Sequence, residues 1–188
     1  MGAALAAAVR ALATGGLVVY PTDTLYALGA SARDRTAVAR LVAAKGRPRG
    51  MPISIAVSSI EEIEPLAELS PKARRFVRTH LPGPFTVLAR PSASARRAFA
   101  DEIAGARRTI GLRVPDHPIA RELARRAGPV IATSANRHGT SPCPSIAAVR
   151  RTFGPAVAVY VAGGPRPSGR PSALVDLTGT EPRPLARR

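Results

Sequence analysis

Short apolar runs separated by amphipathic stretches set the tightest limit on what this chain can fold into. The segments GLVVY (16–20), ISIAV (53–57), FTVLAR (85–90), TIGLRV (109–114), PVIAT (129–133) and AVAVYV (156–161) have the length and composition of buried strands. Between several of them the periodicity predicts helices over 34–45, 70–80, 117–127 and 145–153, the second opened by Ser70 as N-cap and Pro71 in its first turn. At the start, Leu5, Val9 and Leu12 fall at helical spacing and Gly15-Gly16 makes a stop. Arg10 interrupts that apolar stretch and no basic residue precedes it, so it reads as a first helix rather than a signal peptide. Strands alternating with helices give an α/β fold. Neighbouring strands with no helix between them make it a twisted, open, mixed sheet flanked by helices rather than a purely parallel one. From Gly163 onward the sequence is loop-like with one short strand at 173–177, which suits either a frayed tail or a flap over a site.

At 188 residues the chain has enough length for one sizeable core, and it is expected to be a single domain over 1–188 with its core at about 5–180. Hydrophobic residues make up 45% and aromatics only 4%, so Ala, Val, Leu and Ile must build that core. No uncharged apolar run reaches the ~18 residues of a membrane span. A single cysteine, Cys143, excludes an internal disulfide and any multi-cysteine metal site, and a cytoplasmic location is expected. Basic residues outnumber acidic ones 28 to 12, for a formal charge of +16, and with lysines only at 45 and 72 the rest are arginines. Compositional bias explains such a field as well as a polyanionic partner does, RNA being the simplest.

Familiar signatures are missing: there is no GxxxxGK[ST] and no GxGxxG after a strand. His80, His117 and His138 lack metal-ligand spacing, so no metal site is expected. No Ser-His-Asp or Cys-His arrangement can be assigned, and carboxylates are too few for paired acid–base work. Any chemistry must depend on cations and small hydroxyls. VVYPTDTLYALG (18–29) runs a strand into Thr22, Asp23, Thr24 and Tyr26, which fits a self-bonded turn or a polar ligand site. KGRPRGMP (45–52) sets Lys45 and Arg47 at a helix C-terminus, where they complement the dipole or point into a cleft. Arg113 lies within an apolar strand and needs a partner or a ligand, with Asp116 the nearby candidate. ATSANRHGTSP (132–142) places Ser134 and Asn136 two apart, on one side.

Taken in order, P-T-D-T-x-Y (21–26), K-G-R-P (45–48), P-G-P-F-T (82–86), G-L-R-V-P-D-H-P (111–118), T-S-A-N (133–136) and P-S-A-L-V-D (171–176) closely resemble the YrdC-like family of threonylcarbamoyl-AMP synthases, over about residues 5–180. That resemblance implies a twisted α/β sheet with an electropositive concave face. It implies synthesis of threonylcarbamoyl-AMP and pyrophosphate from ATP, L-threonine and bicarbonate, with Mg2+ accompanying the nucleotide. Partner proteins then pass the activated group to adenosine 37 of tRNAs that read ANN codons, giving t6A. Carried over by motif, Lys45 and Arg47 are the catalytic cations and contact ATP, together with Thr109, Ser134, Asn136 and, by loose alignment, Arg183. Threonine falls to Thr24, Arg113, Ala132 and Ser172.

The sequence departs from the family pattern at three places. Met51 stands where many relatives have Lys or Asn, so that phosphate contact is expected to be absent or taken by Arg49. Ala56 replaces a His that some relatives use near threonine. Ala27 replaces a Gly, which requires an ordinary backbone φ there. The chain resembles the short, single-domain form, and residues of about 163–172 are expected to act as a lid. Two other functions compete: a carbamoyl-adenylate-forming carbamoyltransferase, and an RNA-binding module for tRNA or double-stranded RNA without catalysis.

Overall fold

A computed structural model of the chain describes residues 2–48, 50–105, 108–164 and 167–186. In chain order its elements begin with α1 (Gly2–Ala13), β1 (Val18–Pro21), β2 (Tyr26–Gly29), α2 (Arg35–Lys45), β3 (Ser54–Ala56) and β4 (Ala67–Glu68). They continue with α3 (Pro71–His80), β5 (Phe85–Pro91), α4 (Ala93–Ala98), α5 (Asp101–Ala104), β6 (Ile110–Arg113) and α6 (Pro118–Ala127). The remainder are β7 (Val130–Ile131), β8 (Thr133–Ser134), α7 (Ile146–Phe153), β9 (Val159–Tyr160), β10 (Ala173–Asp176) and β11 (Arg183–Leu185).

Helix ends follow the capping chemistry in the sequence. The N–H groups of Ala37, Ala73 and Ala148 donate to the side chains of Asp34, Ser70 and Ser145 at 3.0, 3.2 and 3.2 Å. His117, expected to be a scattered histidine, caps α6 by accepting the Ile119 N–H on Nδ1 at 3.2 Å. Gly46 ends α2 in the left-handed region, φ 64°, which fixes Lys45 as the helix's last residue.

Among the described residues the strands form two open, mixed sheets. The smaller has the order β8-β2-β1-β9; the larger runs β11-β10-β5-β6-β3-β7, with β4 attached to β5. Pairs β10/β5, β3/β6 and β1/β9 are parallel and the others antiparallel. The run PVIAT, expected as one strand, divides between the sheets. Ile131 pairs with Ile55 in the larger sheet, whereas Ser134 pairs with Ala27 in the smaller. Tyr20, fully buried, ties the two by donating from its hydroxyl to Ile131 O at 3.0 Å. β2, β4, β11, α4 and α5 were not expected. Ala27 sits within β2, and its φ is not positive.

Alternation along each strand sorts the larger sheet into two faces. Ile53, Ile55, Val87, Ala89, Ile110, Leu112, Ile131 and Val175 pack into the main core against α2 and α3. The residues between them, Ser54, Thr86, Gly111 and Arg113, therefore turn to the other face. A second cluster joins Leu5, Ala8 and Leu12 of α1 to Leu123 of α6, Tyr20 and Val130. Among the described residues no helix is long and apolar enough to cross a membrane.

Candidate active site

Arg113 ends β6 and is only 6% exposed. The turn joining β1 to β2 comes to meet it. Thr22 folds that turn: its Oγ1 donates to Leu25 O at 2.6 Å and accepts the N–H groups of Thr24 and Leu25, each at 3.2 Å. Asp23 and Thr24 then face the guanidinium. Nη2 donates to Asp23 Oδ1 at 2.7 Å, and Nη1 and Nη2 both reach Thr24 Oγ1 at 3.1 Å. Burial pulls the Arg113 pKa below its ordinary value, and the Asp23 carboxylate opposes that shift. Arg113 Nε and Asp23 Oδ2 are buried with no hydrogen-bond partner among the described residues. The expected partner, Asp116, lies exposed in the turn after β6. Asp23 takes that role because the turn 22–25 delivers a carboxylate to the strand end, where Asp116 has already passed into solvent.

Lys45 is 3% exposed. Its ammonium donates to Ser134 O at 2.5 Å and Asn136 O at 2.8 Å, with Ser134 Oγ more distant at 3.5 Å. It thus staples the end of α2 to the loop after β8, and it meets Ser134 and Asn136 chiefly through their backbone carbonyls. Burial, with the neighbouring Arg47 charge, lowers its pKa to about 8, while Cys143 works weakly the other way. Arg47 Nη2 donates to Pro52 O at 2.7 Å, bracing the turn into β3. Asn136 Nδ2 donates to Arg137 O and Thr140 O at 2.9 and 2.6 Å, while its Oδ1 is buried without a partner among the described residues.

These two groups are connected through the polar face of the larger sheet. Ser54 lies opposite Gly111, and Ala56 opposite Arg113. A Cβ on Gly111 would stand 2.9 Å from Ser54 Oγ, so a glycine there permits the close approach of β3 and β6. The Ala132 N–H donates to Ser54 O at 2.8 Å. On the other flank, the buried hydroxyls of Thr86 and Ser172 meet at 2.7 Å. Thr109 shares the face of Gly111 and Arg113 but at the opposite end of β6, with Oγ1 buried and unpartnered among the described residues. It lines a hollow of about 560 Å³ with Arg90, Arg96, Arg108 and Thr178.

The structure therefore brings Thr24 to Arg113, and Lys45 to Ser134 and Asn136. It sets Ala132 and Ser172 beside Ser54 and Thr86. Arg183 stands apart on edge strand β11, largely exposed and 3.5 Å from Asp176. Met51 is exposed, and Arg49 lies outside the described residues. Sequence reading missed Asp23 as the partner of Arg113, and it missed Thr86 and Ser54. Alternation could have found the last two, since Val87 and Ile55 beside them are core residues. Ser168 N–H and Gly169 N–H donate to Asp23 O and Thr24 O at 3.1 and 2.9 Å, laying the segment after 166 across the turn 22–25.

The sequence pattern of a family described as Telomere recombination, Sua5/YciO/YrdC, matches residues 10–188. A Mycobacterium tuberculosis relative is 41% identical over 182 residues, covering 96% of this chain and 82% of its own. The threonylcarbamoyl-AMP synthase of Coxiella burnetii is 36% identical over 175 residues, 92% of each chain. Among solved structures, P. abyssi Sua5 complexed with L-threonine superimposes with a TM-score of 0.88 at 34% identity, over 96% of this chain. The chain spans about half of that protein, 53% of its length. With a family pattern spanning nearly its whole length and relatives alike in both sequence and fold, this chain belongs to the Sua5/YciO/YrdC family.

Proposed function

We propose that this chain joins ATP, L-threonine and bicarbonate into threonylcarbamoyl-AMP and releases pyrophosphate, the activity for which its relatives are named. One observation carries the reading. A buried guanidinium with an unmet N–H sits beside a threonine hydroxyl, in a fold shared with a Sua5 that holds L-threonine. Arg113 receives the amino acid's carboxylate, a task that suits a planar fork better than an ammonium. Thr24, Ala132 and Ser172 complete the threonine pocket. Lys45 and Arg47 neutralise the phosphates, while Thr109, Ser134, Asn136 and Arg183 attend the nucleotide.

The amine of threonine and bicarbonate condense to a carbamate, whose oxygen attacks the α-phosphorus and expels pyrophosphate. Little proton abstraction is needed at phosphorus, so positioning and charge neutralisation dominate. No three His, Cys, Asp or Glu side chains stand together among the described residues to hold a metal ion. Magnesium, as the family resemblance implies, accompanies the nucleotide as part of the substrate. The segment 163–172 serves as a lid that shields the mixed anhydride from water. Its residues 165–166 lie outside the described residues, and the hydrogen bonds of Ser168 and Gly169 to the turn 22–25 support the role. A formal charge of +16 supports tRNA as a partner, alongside the transferase proteins that consume the product in the cytoplasm.

The test is pyrophosphate release from the purified protein. It should require ATP, threonine and bicarbonate together. Release indifferent to threonine, or tRNA retention with no pyrophosphate formed, would reject the reading.

A further inference from the structure

An arginine offers a carboxylate two planar edges: the terminal fork of Nη1 and Nη2, and the side edge of Nε and Nη2. Arg113 has both engaged from within the chain. The fork closes on Thr24 Oγ1 at 3.1 Å from each nitrogen. The side edge holds Asp23, but through Nη2 alone, at 2.7 Å. Nε and Asp23 Oδ2 are left buried and unpartnered among the described residues. A free carboxylate on that edge would make two bonds where Asp23 makes one. Each member of the pair thus keeps a buried polar atom with no hydrogen-bond partner among the described residues, which is costly to leave unmet.

Resting on the threonine reading above, we infer that Asp23 is an exchangeable stand-in for the substrate's carboxylate and, once displaced, the acceptor of its ammonium. The incoming carboxylate spans Nε and Nη2 of Arg113, and Asp23 turns to take an N–H of the amine. One ion pair within the protein becomes two ion pairs across the ligand, and the pocket's net charge does not change. The backbone need not move: Asp23 O is held from behind by the Ser168 N–H at 3.1 Å, so the exchange is a side-chain rotation. Such a site selects zwitterions. A carboxylate lacking an amine would strand Asp23 beside a second anion, and an amine lacking a carboxylate would take Asp23 from Arg113 with nothing to replace it. Asp23 is thus a positioning residue that restricts this site to α-amino acids.

The experiment compares dissociation constants of L-threonine and of the hydroxy-acid analogue carrying a hydroxyl in place of the amino group, on the unmodified protein and on Asp23→Asn. The unmodified protein should prefer threonine, and the substitution should shrink that preference by about tenfold or more, the worth of one charge-assisted hydrogen bond. An unchanged ratio with threonine binding intact overturns the exchange while leaving the synthase reading standing. An unmodified protein that binds neither compound overturns both. Should Asp23→Asn not fold, the threonine complex of the unmodified protein decides. The exchange requires the Asp23–Arg113 Nη2 contact to open and the amine to lie within hydrogen-bond reach of Asp23. Persistence of the 2.7 Å contact with threonine bound refutes it.

Discussion

Arg113→Ala removes an ion pair of 2.7 Å to Asp23 and two bonds of 3.1 Å to Thr24 Oγ1. It leaves the Asp23 side chain, only 12% exposed, as a lone carboxylate that solvent reaches poorly. Breaking a buried pair by deleting one partner costs about 3–5 kcal/mol. That is a large share of the roughly 5–15 kcal/mol by which a domain is stable. Much of the cost belongs to the stranded charge rather than to the lost attraction. Removing Asp23 as well should therefore return part of it, and the double variant should fall short of the summed single losses by about 0.5–3 kcal/mol. Urea denaturation of the four proteins, followed by far-ultraviolet circular dichroism and with equal slopes, measures the cycle. A loss below about 1 kcal/mol for Arg113→Ala would mean that the pair is not buried as described. A double variant equal to the sum within about 0.5 kcal/mol would show that the two side chains do not depend on one another.

Lys45→Met deprives Ser134 O and Asn136 O of their ammonium partner, and stranding two carbonyls should cost about 2–4 kcal/mol in urea denaturation, with weaker ATP binding by calorimetry. With its pKa lowered to about 8, Lys45 should lose its charge as pH rises through that value, and ATP affinity should fall with it. Stability moves the opposite way: between about 8 and the ordinary 10.5 the unfolded chain holds a proton that the folded one has released, so this group's contribution rises with pH. Thermal unfolding of the unmodified protein against Lys45→Met across that window reads the difference.

The parts of the fold that sequence could reveal were those fixed by local chemistry. Helix α3 begins where Ser70-Pro71 says it must, and α2 ends at Gly46, because caps involve residues only a few positions apart. Pairing was beyond reach. Nothing local in PVIAT says that Ile131 joins one sheet and Ser134 another, because their partners Ile55 and Ala27 lie far away in sequence. β11 was hidden by its proline, Pro184, whose missing N–H is tolerable on an edge strand. The site divided along the same line. Arg113 was visible as a cation in an apolar strand, but its partner was sought nearby at Asp116 rather than 90 residues away at Asp23. Lys45 was visible at a helix end, where the local sequence left the dipole and a cleft as alternatives. Its actual acceptors lie at the end of β8 and in the loop after it, 89 and 91 residues further on.

The position of β10 in the larger sheet bears on how the protein is made. This strand comes late in the chain, yet it pairs alongside β5 and brings Ser172 against Thr86. A ribosome that has finished β1 through β9 has produced a polypeptide whose Thr86 hydroxyl faces an unfilled slot. Nascent chains that stop before β10 should consequently be inert, with competence arriving only once the β10–β11 hairpin has cleared the exit tunnel and docked.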